Sequence, residues 1–269
     1  MENNTPSRNE ITTKALVYHT PETARVKIQS NLEYRIVNGR SLTLDVYLQP
    51  DSDGSPKPAV IFVSGYSDIG FERMLGCKLK DMESYVSWGK LAASVGFIGI
   101  TYSAVEPVTD TIELLEFVKQ NSASLRIDPQ RIGIWSCSGN SPNALSLLIE
   151  NRDAFRFAVF LYSVMMDLDG NDGTAQMSRQ VGFVNPCVGR SIEDLPSEVP
   201  LFIVRAGQDA MPRLNETLDR FLSKAVSRNF SVTFVNHPTA PHAFDILDDS
   251  DTSREIIKST LSFMRFHAK

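Results

Sequence analysis

The sequence is poor in the residues that build disulfide frameworks and metal sites. Its 269 residues include three cysteines, Cys77, Cys137 and Cys187, with no C-x-x-C pair. An odd, scattered set excludes a disulfide scaffold and a cysteine zinc site, and fits free thiols in a reducing compartment. Long apolar runs are missing too. Runs such as AVIFV at 59–63 and PLFIV at 200–204 have strand length and fall far short of a membrane span. The opening stretch MENNTPSRNEITTKALVYHT is polar and lacks the apolar core of a secretory signal. A cytoplasmic protein without membrane attachment is therefore expected. Basic runs are also absent: 27 Lys and Arg face 32 Asp and Glu, for a net charge of -5. No nucleic-acid partner is expected, because phosphate binding needs concentrated positive charge.

What is present is an alternation of strand and helix patterns. Beyond a frayed start to about residue 20, RVKIQSNLEYRIV and SLTLDVYL flank Asn38-Gly39, a strong hairpin signal. A polar loop, PDSDGSPKP, leads into the buried strand AVIFV. Helices are predicted over about 81–95, 108–122, 139–150, 212–227 and 251–267, and strands over 97–102, 131–136, 157–163, 201–206 and 231–236. Such alternation gives βαβ units and a mostly parallel sheet of about eight strands covered on both faces. Residues 1–24 read as an N-terminal segment, 25–269 as one α/β domain, and 165–198 as a lid- or cap-like insert. Ligands of such sheets bind beyond the carboxyl ends of the strands.

One of those strand ends reads GIWSCSGNS, placing Ser136, Cys137 and Ser138 side by side ahead of a helix. A nucleophile on a tight strand–turn–helix needs strained backbone and small residues two positions before and after it, the content of a G-x-S-x-G elbow. Ser136 would have Ile134 at the minus-two position and Cys137 would have Trp135; both are too large. Ser138 has Ser136 and Asn140, so Ser138 is the nucleophile by elimination. A Ser/Gly-rich turn that merely caps a helix is the plainer alternative.

A serine hydroxyl needs a base and a group that orients the base. The chain has four histidines. His19 precedes the core strands and His267 lies in the C-terminal tail. His242, in the loop PTAPHAFDIL, is the preferred base, with His237 at the end of SVTFVN as its rival. Asp209, in GQDAMP after strand LFIVRA, is the preferred orienting acid. It has a rival in the carboxylates of 167–172 and an alternative role as a helix cap. The order Ser138, Asp209, His242 puts each residue after a different strand on one sheet edge. Oxyanion donors are assigned to Gly139 N–H at the helix start and Tyr66 N–H in SGYSDIG after AVIFV.

With those residues in view, the chain resembles the α/β-hydrolases, in particular the dienelactone hydrolase-like and small serine esterase branches. The resemblance rests on IGIWSCSGN, IVRAGQDAMP, APHAF and FVSGY, and spans about 25–267. It departs from the family pattern at the elbow, which reads S-C-S-G-N without the usual glycines, and at Ser64, where His is common. The resemblance implies a Ser-His-Asp hydrolase of carboxylic esters, lactones or thioesters, acting on a small-molecule substrate without cofactor or metal. A non-catalytic ligand-binding homologue and a peptidase-like acyl hydrolase are the alternatives.

The stretch DLDGNDG at 167–173 has partial EF-hand spacing, but Asp172 replaces the required Gly and Ser178 the closing Glu; an acidic loop is expected. Met165, Met166, Met177 and Phe183 are candidates either for an apolar wall over Ser138 or for packing of the insert. Cys137, Trp88 and Trp135 are expected in the core.

Overall fold

The computed structural model describes residues 9–50 and 54–269. The remainder of the N-terminal segment, 1–8, and positions 51–53 of the polar loop lie outside the described residues. Eight strands form one sheet: β1 (Lys27–Val37), β2 (Arg40–Leu48), β3 (Lys57–Phe62), β4 (Ile98–Tyr102), β5 (Ile127–Cys137), β6 (Ala158–Leu161), β7 (Leu201–Ala206) and β8 (Val232–His237). Their order is β1-β2-β4-β3-β5-β6-β7-β8. The β1–β2 hairpin and the β2–β4 pair are antiparallel, and β3 to β8 run parallel. Asn38 and Gly39 both have positive φ, 51° and 74°, as a tight turn matched to strand twist requires.

The helices are α1 (Asp68–Leu75), α2 (Glu83–Ser94), α3 (Pro107–Gln120), α4 (Ser122–Leu125), α5 (Ser141–Glu150), α6 (Gly173–Val181), α7 (Leu214–Ser227), α8 (Phe244–Leu247) and α9 (Asp251–His267). Alternation along β3 explains the layering. Ala59 and Ile61 point to one face and join Leu115 of α3, Leu148 of α5 and Phe221 of α7. Val60 and Phe62 point to the other, with Trp88 of α2 and Leu261 of α9. Trp88 and Trp135 are buried at the centre of that second layer, ring centroids 5.1 Å apart. The mostly parallel eight-stranded sheet with helices on both faces is the architecture the sequence pattern predicts.

Three local features depart from expectation. The segment after β3 forms α1, held by its caps rather than by a long apolar stripe. Ser67 Oγ accepts the Gly70 N–H at 3.1 Å, and Gly76, at φ 81°, closes the helix. Within 165–198, α6 forms because the Asp167 carboxylate accepts the Thr174 and Ala175 N–H groups at 2.8 and 2.9 Å. The residues from 9 onward are not frayed. Glu10–Thr13 and Pro21–Arg25 form 3-10 turns, Thr12 and Leu16 are buried, and Val17 N–H donates to Asp245 O at 2.9 Å.

Candidate active site

Ser138 stands where β5 ends. Its φ is +52°, a left-handed conformation that costs a residue with a Cβ about 1–2 kcal/mol. The chain enters the 3-10 turn Ser138–Asn140 at once, and α5 follows from Ser141 rather than from 139. Its neighbours are otherwise engaged. Ser136 is buried, its hydroxyl 2.9 Å from Ser141 Oγ, which donates to Ser163 Oγ at 2.7 Å. Cys137 is buried as expected, yet it borders the cleft beside Ser138. Burial, and then the Asp245 charge, push its thiol up to about 12. A thiol kept protonated is a poor nucleophile.

Ser138 Oγ lies 2.9 Å from His242 Nε2, and His242 Nδ1 lies 2.6 Å from Asp209 Oδ2. The Asp209 side chain is fully buried, and its second oxygen accepts the Met211 N–H at 2.9 Å. Backbone bonds bring the two loops together: Gly207 N–H donates to His237 O at 2.8 Å and Gln208 N–H to Ala240 O at 2.9 Å. A hydroxyl, an imidazole and a buried carboxylate in series have the geometry that can activate a serine.

The rival residues lie elsewhere. His237 is buried, with Nε2 3.1 Å from Ser253 Oγ and 3.0 Å from Asp248 Oδ2. Asp167 caps α6, Asp169 pairs with Lys224 at 2.8 Å, and Asp172 pairs with Arg213 at 2.9 Å. The carboxylates of the acidic loop are thus engaged with the protein's own groups.

Asn140, the departure from a small residue at the elbow, has a use. Its Oδ1 accepts the Gly65 N–H at 2.7 Å, while Nδ2 donates to Tyr85 Oη at 3.0 Å and Cys137 O at 3.1 Å. This holds the loop after β3 against the elbow. A Cβ on Gly65 would sit 2.6 Å from Gly139 O and 2.8 Å from Asn140 Cα, so only glycine fits. The Tyr66 N–H, next along that loop, makes a long 3.3 Å contact to Ser64 Oγ. Gly139 N–H, at the start of the turn, belongs to the set of helix-start donors that lack an intrahelical partner.

Sequence reasoning did not find a buried polar chain behind the imidazole. Asp245, three residues after His242, accepts from Trp88 Nε1 at 2.8 Å and from Tyr162 Oη at 2.7 Å. The Tyr162 ring meets the His242 ring edge-on, centroids 4.9 Å apart. Burial raises the Asp245 pKa, against the lowering effect of its hydrogen bonds to Trp88 and Tyr162. Isolated polar residues in FDIL and LYS carry no periodic signal that would single them out.

A cleft of about 350 Å³ opens beside Ser138 and His242. Its walls include Phe71, Met74 and Leu75 of α1, Met82, and Met211, whose sulfur lies 4.0 Å from Ser138 Oγ. Of the four candidates for a wall over Ser138, Met165 and Met166 are buried with the α3, α5 and α7 layer. Met177 and Phe183 pack in the other layer; Val181 is the residue of 165–198 that reaches the cleft. Among the described residues no group of three or more His, Cys, Asp or Glu is placed to hold a metal ion. Nor is any helix among them long and apolar enough to cross a membrane.

No protein-family model matches the chain, and no curated protein sequence does. Solved structures do. A bacterial heroin esterase superposes with a TM-score of 0.71 at 14% identity, covering 92% of this chain and 86% of its own. A fungal esterase from Rhizomucor miehei gives 0.66 at 14%, covering 92% and 89%. A thermostable carboxylesterase cloned from a metagenomic library gives 0.66 at 16%, covering 94% and 92%. At these identities the likeness is one of fold. The chain has the α/β-hydrolase fold.

Proposed function

We propose that the protein is a serine hydrolase that cleaves carboxylic esters through an acyl-enzyme. The observation that carries this reading is the unbroken series Ser138 Oγ, His242 Nε2, His242 Nδ1, Asp209 Oδ2, with spacings of 2.9 and 2.6 Å. In the first half-reaction Ser138 Oγ bonds to the carbonyl carbon and its proton passes to His242 Nε2. The carbonyl oxygen, now an anion, is held by the Gly139 and Tyr66 N–H groups. Collapse of the tetrahedral species breaks the bond to the alcohol oxygen, which takes the proton from His242. In the second half, water attacks the acyl carbon and gives its proton to His242. Ser138 recovers that proton as the carboxylic acid leaves. Asp209 keeps Nδ1 protonated and steadies the imidazolium.

The esterases among the similar folds support the same direction, and favour the small-esterase side of the resemblance over the dienelactone hydrolase-like side. The test is turnover of p-nitrophenyl acetate and butyrate, with fluorophosphonate labelling of Ser138. Ser138→Ala is expected to lower kcat by on the order of 10⁴–10⁶ and to abolish the label. Equal turnover by wild type and Ser138→Ala sinks the proposal.

A further inference from the structure

The triad leaves the far wall of the cleft unexplained. That wall includes Asn9 and Ile11, from a segment whose sequence pattern suggests no fixed structure. The segment is nonetheless tied down at both ends. Asn9 N–H donates to Leu75 O, the last residue of α1, at 3.1 Å, and Asn9 Oδ1 accepts the Ile11 N–H at 3.1 Å. Eight residues further on, Val17 N–H donates to Asp245 O at 2.9 Å, in α8 just after the loop that carries His242. Between the ties, Thr12 and Leu16 are buried, and Thr12 Oγ1 donates to Asn9 O at 2.6 Å. Ile11 is half-buried: it packs on the core layer that holds Trp88 and Tyr85, and also lines the cleft.

The chemistry of the cleft narrows what it accepts. Among the described residues no Asp, Glu, Lys or Arg lines it, and its volume of about 350 Å³ is near the small end of ligand sites, about 300–1,000 Å³. A charged group entering such a space would lose water and meet no Asp, Glu, Lys or Arg among the described lining residues.

We propose that residues 9–17 are a strap that forms the specificity wall of this cleft, and that the site selects uncharged esters whose apolar chain lies against Ile11. The proposal rests on the ester-hydrolase reading of Ser138, His242 and Asp209. Each methylene gained or lost in an apolar pocket changes selectivity about 10–200-fold, so the bulk of one wall side chain is enough to redraw the profile.

The experiment measures kcat/KM for p-nitrophenyl acetate, butyrate, octanoate and hemisuccinate, using wild type, Ile11→Ala and Ile11→Trp. Wild type is expected to prefer butyrate over its charged hemisuccinate counterpart by at least about tenfold. Ile11→Trp should lose octanoate by at least about tenfold relative to acetate, and Ile11→Ala should move the preference toward octanoate. A wild-type circular dichroism spectrum and thermal transition show that a variant is folded; should Ile11→Trp lose them, Ile11→Ala decides. Identical chain-length profiles in the folded variants and wild type overturn the wall, and equal rates on butyrate and hemisuccinate overturn the charge selection. If wild type cleaves none of the esters, the ester-hydrolase reading is what fails. The wall is then read by titrating methyl octanoate and the octanoate anion into Ser138→Ala with and without Ile11→Trp. A loss of methyl octanoate affinity with Ile11→Trp supports it and unchanged affinity overturns it; equal affinity for the ester and the anion overturns the charge selection.

Discussion

Asn140 Oδ1 lies 2.7 Å from the Gly65 nitrogen, joining the turn that carries Ser138 to the loop that carries Tyr66. A residue that departs from the family pattern thus links the two loops assigned as oxyanion donors. Asn140→Ala is expected to lower kcat roughly tenfold or more with KM little changed. That is short of the 10²–10³ lost when a direct oxyanion donor is removed. Asn140→Asp keeps an acceptor for Gly65 but loses the donors to Tyr85 and Cys137 O, and should fall in between. Steady-state kinetics on p-nitrophenyl butyrate separate these outcomes; an unchanged kcat in Asn140→Ala leaves the residue with a packing role only.

Strain at Ser138 predicts a gain in stability at the expense of activity. Glycine adopts φ +52° without a Cβ clash, whereas alanine keeps the clash. Ser138→Gly should therefore unfold with a free energy about 1 kcal/mol above that of Ser138→Ala, both being inactive. Urea denaturation of the two variants gives the comparison directly.

His237 and His242 should respond differently to mutation. His237 bonds Ser253 and Asp248, away from the cleft. His237→Ala is expected to lower the unfolding free energy by about 1–3 kcal/mol, by removing its bonds to buried Ser253 and partly exposed Asp248, with kcat unchanged. His242→Ala should remove turnover and, by stranding the fully buried Asp209 carboxylate, lower stability as well. A large kcat loss in His237→Ala would contradict the assignment of His242 as the base.

Asp245 predicts a pH dependence of stability. Burial raises its pKa above the unfolded value near 3.9. Between the two values the native state holds a proton that the unfolded state has released. Stability contributed by this group is therefore complete below the unfolded value and falls as pH rises through the native one. Asp245→Asn cannot ionise and should lack that slope. The difference in unfolding free energy between wild type and variant, followed upward from about pH 4, is expected to decline; a difference that stays flat rejects it.

Period and order in the sequence carried the architecture. The apolar run AVIFV, the helix patterns between strands and the Asn38-Gly39 turn reappear as β3, the covering layers and the β1–β2 hairpin. The proximity of Ser138, Asp209 and His242 was legible because loops after parallel strands share one sheet edge, so sequence order translates into nearness. Elements held by single caps were harder to read. The helix α1 depends on one hydroxyl at Ser67 and a left-handed Gly76, and α6 on the Asp167 carboxylate. Asn140 resembled a defect because its value lies in a contact with Gly65, distant along the chain. Asn9 and Val17 are too few to form a pattern, and their partners Leu75 and Asp245 offer backbone carbonyls, which a sequence does not distinguish.

The approach of Gly65 to the Gly139 carbonyl also restricts how the molecule can be altered. Neither loop can gain or lose a residue by itself, because the neighbour's backbone occupies the space and the Asn140 amide has a fixed reach. Insertions there would have to come in compensating pairs. Ile11, by contrast, lies between the backbone ties of Asn9 to Leu75 and Val17 to Asp245, so its side chain can be exchanged without moving either of those two loops.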